Sequence, residues 1–130
     1  MYTARFVKNI PDLLSQFPPI HKHVFGHHST IEFMPANLDG VEIGKESTMK
    51  ILGRAHDEKG DALLVENAKS KNEFPHITLS CVEGVGPVYS NELLKKATAT
   101  KTLEYFSTPY EIEVVEGYSD MKNDFIKKEE

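Results

Sequence analysis

A single cysteine, Cys81, leaves no possibility of an internal disulfide, and the simplest compartment for such a chain is the reducing cytosol. Arginine is almost absent, with only Arg5 and Arg54, and the formal net charge is −5. That balance argues against a protein that grips long duplex nucleic acid through many phosphate contacts, though it leaves room for a small phosphate ligand in a locally positive cleft. No apolar run approaches the roughly 18 residues that span a bilayer, so no membrane association is expected. The first residues, Met1-Tyr2-Thr3-Ala4-Arg5-Phe6-Val7, lack the long apolar stretch and small-residue cleavage site of a secretory signal.

The chain of 130 residues, 39% hydrophobic and 27% charged, is ordinary for one globular domain with a sizeable core. Tyr2 to Val7 reads as a strand. Pro11 and Asp12 open a short helix that Pro18-Pro19 stops, because the residue before a proline is pushed out of the α region. Ile20 to Gly26 reads as an irregular approach to a strand from about His27 to Met34, which the turn Pro35 to Gly40 ends. Ser47 to Glu66 reads as a hairpin around Asp57-Glu58-Lys59-Gly60, and a further strand follows Pro75. Ser90 is a candidate N-cap for a helix from Asn91 to about Thr98, with Leu93, Leu94 and Ala97 as its apolar stripe. Thr102 to Phe106 and Tyr110 to Tyr118 complete the pattern as two strands. Strands outnumber helices and come in hairpins, which predicts an α+β domain with a mainly antiparallel sheet over residues 1–120. Residues 121–130 form a charged C-terminal tail expected to be loosely held.

Two short stretches stand out, His28-Ser29-Thr30-Ile31-Glu32 and, 48 residues on, His76-Ile77-Thr78-Leu79-Ser80. In a strand, residues i and i+2 share a face, so each histidine should project beside its threonine. Ile31 and Phe33, or Ile77, Leu79 and Cys81, then point to a core. Two such strands facing one another would line a cleft with two imidazoles and two hydroxyls. Imidazole titrates closest to neutrality, so a pair can divide the roles of general base and general acid in phosphodiester hydrolysis. The threonine hydroxyls could donate to the non-bridging phosphate oxygens. Neither histidine is assigned base or acid by its sequence context.

These residues resemble the two-histidine (2H) phosphoesterases, whose signature is a pair of His-x-Thr/Ser motifs on strands of two pseudo-symmetric lobes. The group includes cyclic phosphodiesterases related to RNA ligases, the phosphodiesterase portion of tRNA-repair enzymes, and phage enzymes that destroy cyclic-nucleotide immune signals. His28 and Thr30 match the first motif, His76 and Thr78 the second, and Ile31 and Leu79 occupy the hydrophobic position that follows each. The resemblance implies a compact bilobal domain with both motifs facing a central cleft. It also implies hydrolysis, without metal or other cofactor, of a small nucleotide, a cyclic oligonucleotide or an RNA end carrying a 2′,3′-cyclic phosphate. The chain is shorter than most members of that group, and the extra cationic phosphate ligand of some relatives has no counterpart among so few arginines.

A base bound there needs an aromatic surface, and Tyr89 is the candidate, with anchoring of the following helix as its competing role. His21, His23, His27 and His28 cluster without a regularly spaced cysteine or carboxylate, and no metal site is expected from them. His27 is expected to point away from His28, His56 to sit on an exposed hairpin strand, and Cys81 to be a small core residue. The competing readings are a non-catalytic module that sequesters a nucleotide, and a partner-binding domain in which the two motifs are coincidental.

Overall fold

The computed structural model describes residues 1–127. Eight strands and two helices follow one another as β1 (Tyr2–Val7), α1 (Ile10–Gln16), β2 (His23–Val24), β3 (His28–Phe33), β4 (Glu46–His56), β5 (Gly60–Glu66), β6 (His76–Cys81), α2 (Tyr89–Ala99), β7 (Glu104–Ser119) and β8 (Asp124–Phe125). All the strand pairings are antiparallel, in the order β2-β6-β5-β4-β7-β1-β3, with β8 added on β7. This is the α+β class that the alternating pattern implies. Among the described residues, no helix is long and apolar enough to cross a membrane.

The sheet curls because β2 and β3, its two ends, belong to nearly one stretch of chain. After β2 pairs with β6, Phe25 and Gly26 donate their amides to the carbonyls of Leu79 and Thr78 at 2.8 and 2.9 Å. The chain then turns at Gly26, whose φ of +72° a side chain would strain, and pairs with β1 as β3. Within the curl lies the main core: Val7, Met49, Ile51, Leu63, Val65, Ile77, Leu79 and Val114, closed by Leu13 and Phe17 around α1. Ile77 and Leu79 are fully buried there, which is why the apolar half of the second motif forms a strand. Truncating either to alanine should cost about 2–5 kcal/mol.

The outer face carries two smaller clusters. On one side α2 lays Leu93, Leu94 and Ala97 over Ala55 and Ala62; on the other, Phe6 packs with Ala4 and Val115. An ion pair within the β4–β5 hairpin also holds the chain after α1, Arg54 Nη2 donating to the Pro18 carbonyl and Ile20 N to Asp61 Oδ2. Arg54 Nε and Nη2 each lie 3.0 Å from an Asp61 carboxylate oxygen, and Asp61 Oδ2 accepts from Ser80 Oγ at 2.9 Å.

The stretch read as an irregular approach contains the short strand β2, and three further elements differ from the sequence expectation. Helix α2 begins at Tyr89 with Val88 as its N-cap, so Ser90 lies inside the first turn. Its early amides go instead to backbone, Tyr89 N to Gly86 O and Ser90 N to Pro87 O. The two final strands are one, β7. Ile51 pairs with Tyr110 and Gly53 with Tyr105, so Phe106 to Pro109 loop out opposite Leu52 and the proline interrupts no ladder. In the region read as a tail, Asp124–Phe125 pair with Tyr118 and Ser119 of β7; residues 128–130 lie outside the described part.

Candidate functional site

The seam where β6 meets the β2–β3 stretch brings the two motifs together. Gly26 lies opposite Thr78, and two residues onward along one strand and backward along the other stand His28 and His76. His28 is level with Phe6 and Thr30 with Ala4 across β1, on the outer face of the sheet, opposite the main core. His76 and Thr78 alternate with core-facing Ile77 and Leu79 and so share that outer face. A charge on His76 is among the groups that disfavour a charge on His28, as expected of imidazoles gathered at one seam.

The first histidine is embedded in side chains. Tyr2 stacks on the His28 ring with centroids 4.6 Å apart, and Phe6 lies at 5.8 Å. His28 Nδ1 is 2.9 Å from His27 Nδ1 and 3.5 Å from the Tyr2 hydroxyl. His27 in turn places its Nε2 2.6 Å from Asp124 Oδ2. Burial pushes His28 down to about 4, with the neighbouring charges of His27 and His76 adding to the effect and Asp124 opposing it. His27 therefore does not point away from His28. The turn at Gly26 delays the strand alternation until His28, and the two rings meet edge to face at 5.1 Å.

The second histidine is held by backbone. His76 Nδ1 donates to the carbonyl of Phe74 at 2.7 Å, and the residue is 8% exposed. Burial lowers its pKa, and the Phe74 carbonyl opposes that shift.

The two threonines also differ. Thr78, 8% exposed, has its hydroxyl 2.7 Å from Ser90 Oγ and 3.3 Å from the Pro87 carbonyl. The buried Ser90 hydroxyl is thus spent on Thr78 instead of capping the helix. Only Thr78 can donate to the Pro87 carbonyl, so Ser90 donates to Thr78, and a ligand oxygen would compete with Pro87 for the Thr78 proton. Thr30 is half-buried, its carbonyl accepts from Ser70 Oγ at 2.8 Å, and its hydroxyl makes no hydrogen bond with another described residue.

Tyr89 is drawn to the β4–β5 turn. Its hydroxyl donates to Asp57, Lys59 Nζ lies 5.8 Å from its ring centroid, and its ring covers Gly60 so closely that a Cβ there would stand 2.8 Å from Tyr89 Cδ2. These contacts anchor the start of α2. Asp57 also receives Lys96 and the amides of Lys59 and Gly60, which together hold its carboxyl below the usual range despite burial.

The remaining histidines separate. His21 Nε2 donates to Asp57 O at 2.8 Å, whereas His23 and His56 are exposed. Cys81 is buried. Among the described residues no three histidine, cysteine or acidic side chains are grouped as a metal site.

Two cavities lie elsewhere. One of about 480 Å³ sits at the β7 bulge among Tyr105, Phe106, Pro109 and Tyr110, and one of about 390 Å³ lies among Ile20, Arg54, His56, Thr102 and Glu104. The second offers His56 and Glu104, with its one guanidinium tied to Asp61, but no second imidazole. The seam places two imidazoles and two threonines on adjoining strands, which makes it the candidate site.

Neither His27 as a contact of His28 nor Asp124 behind it has a signal in the local sequence. Asp124 is 97 residues from His27 in the chain and reaches it through the pairing of β8. No family model matches the chain, and no curated protein matches it.

Proposed function

We propose that the protein is a metal-independent phosphodiesterase of the two-histidine type. Its substrate would be a cyclic phosphate or phosphodiester of a small nucleotide, a cyclic oligonucleotide, or an RNA end bearing a 2′,3′-cyclic phosphate. The observation that supports this reading is the pairing of Gly26 with Thr78, which sets His28 and His76, each two residues before a threonine, on adjoining strands of one seam. One imidazole takes a proton from water as its oxygen attacks phosphorus. The other gives a proton to the ribose oxygen as the P–O bond breaks. Thr30, and Thr78 backed by Ser90, can donate to the non-bridging oxygens, where charge accumulates in the transition state. The bilobal 2H arrangement and a cytosolic setting belong to the same proposal, and the buried thiol of Cys81 suits such a compartment.

One observation favours a sequestering module instead. Both imidazoles are held below their ordinary value, which leaves little imidazolium acid in the free protein at neutral pH. Tight binding of a nucleotide without turnover would select that reading.

The test is incubation of the full chain, with EDTA present, with 2′,3′-cyclic mononucleotides, cyclic di- and trinucleotides and ADP-ribose cyclic phosphate, read by ³¹P NMR. Opening of at least one ring or linkage is expected, and its loss in His28→Ala and in His76→Ala. If no substrate is cleaved, or both variants keep full activity, the assignment fails.

A further inference from the structure

We propose that Asp124 and His27 form a positioning relay that locks His28 with its Nδ1 as donor and its Nε2 free, making His28 the base and His76 the acid. The base and acid roles rest on the phosphodiesterase reading above; the lock itself does not.

A carboxylate only accepts, so the 2.6 Å contact with Asp124 Oδ2 requires the proton on His27 Nε2. In the neutral imidazole the other nitrogen is then bare, so His27 Nδ1 is an acceptor. It faces His28 Nδ1 at 2.9 Å, and a bond between the two requires a proton on His28. With His27 neutral, the His28 proton sits on Nδ1 and the Nε2 lone pair is left to take a proton.

His76 is fixed by a different partner. The Phe74 carbonyl also only accepts, so His76 Nδ1 carries a proton and Nε2 is again the exchanging atom. Here the anchor is a carbonyl dipole, which favours imidazolium. The anchor of His28 is another imidazole, whose own positive form would repel a second charge. The ionisable groups around His28 come from each packed element: Tyr2 on β1, His27 beside it, His76 on β6 and Asp124 on β8. Burial pushes His28 down to about 4, whereas the Phe74 carbonyl partly offsets the burial of His76. The carbonyl anchor thus suits His76 to carry the proton that the imidazole anchor of His28 disfavours.

In the reaction, water loses a proton to His28 Nε2 as its oxygen bonds to phosphorus. The leaving ribose oxygen takes the proton from His76 Nε2 as its bond to phosphorus breaks. One proton enters the pair and one leaves, and exchange with solvent restores the starting state.

The relay depends on β8, which crosses β7 where Gly117 has no side chain. A Cβ at Gly117 would stand 2.1 Å from the Phe125 carbonyl. Gly117→Ala must therefore displace the strand that carries Asp124, without touching either histidine.

The experiment is long-range ¹H–¹⁵N correlation of the imidazoles in the full chain at neutral pH, with no substrate. His28 is expected as the Nδ1–H tautomer in the wild type. It should shift toward Nε2–H in His27→Phe, Asp124→Ala and Gly117→Ala. With a 2′,3′-cyclic nucleotide, those variants should lose on the order of 10- to 100-fold in kcat with KM little changed. His27→Asn, whose Oδ1 can replace the accepting Nδ1, should recover most of the loss. His28 found as Nε2–H in the wild type, or unchanged in all three variants, overturns the relay, even if hydrolysis is seen. If the tautomers behave as expected and the wild type hydrolyses nothing, the base and acid roles fall with the activity and the lock stands.

Discussion

The two histidine motifs are nearly the same in sequence and differ in how they are held. His28 sits at the end of a chain of side chains, with Tyr2 on its face, His27 at its edge and Asp124 behind. His76 is pinned by one backbone carbonyl within a strand whose six residues are all buried. The threonines repeat the contrast, Thr78 being tied to Ser90 and Pro87 while the Thr30 hydroxyl makes no hydrogen bond with another described residue. Burial lowers the pKa of both imidazoles, His28 to about 4, and under the proposed function it is the unlike partners of the two that would separate base from acid.

The largest expected effect that would sharpen this contrast is on the pH dependence of stability. The unfolded imidazole of residue 28 binds a proton near 6.5, whereas the folded one does so near 4. Between those values the unfolded chain holds more protons, so stability is full above about 6.5 and declines as the pH falls to about 4. The shift corresponds to about 3 kcal/mol. Urea unfolding from pH 7.5 to 4 should show a decline that His28→Asn largely removes. A His28→Asn profile parallel to the wild type would break the contrast.

Next in size is the difference between the threonines. Thr78→Val leaves the buried Ser90 hydroxyl without its partner and should cost about 1–3 kcal/mol in thermal or urea unfolding. Thr30→Val should change stability by no more than about 0.5 kcal/mol. Its effect should appear in turnover of a cyclic nucleotide. Equal destabilisation by both substitutions would show the two sites to be alike.

The smallest effect belongs to Tyr2→Phe. The hydroxyl is 3.5 Å from His28 Nδ1, too long for a strong bond, and the ring stacking survives the change. Tautomer and turnover should both stay within about twofold of the wild type if His27 is the working partner. A loss as large as that of His27→Phe would move the positioning role from His27 to Tyr2.

What the sequence made legible was what local pattern controls. The strand Tyr2–Val7, the hairpin of β4 and β5, and the alternation that buries Ile77 and Leu79 beneath His76 and Thr78 follow from period and turn residues. Ser90 misled because its side chain met a tertiary partner, Thr78, that outranked the helix cap. Tyr110 and Tyr105 were read as parts of separate strands because a bulge that absorbs Pro109 has no short-range signature. His27 and Asp124 were out of reach for the same reason at longer range, since only β8 pairing over Gly117 joins them.

The most direct measurement on the central claim is a double-mutant cycle. Cyclic-nucleotide hydrolysis in EDTA would be compared for His28→Ala, His76→Ala and the double variant. A pair dividing one acid–base reaction should lose about 10²- to 10⁴-fold with either substitution. The double variant should then be little worse than the poorer single one. Losses that multiply, or a single variant that hydrolyses as fast as the wild type, would contradict a concerted His28–His76 site.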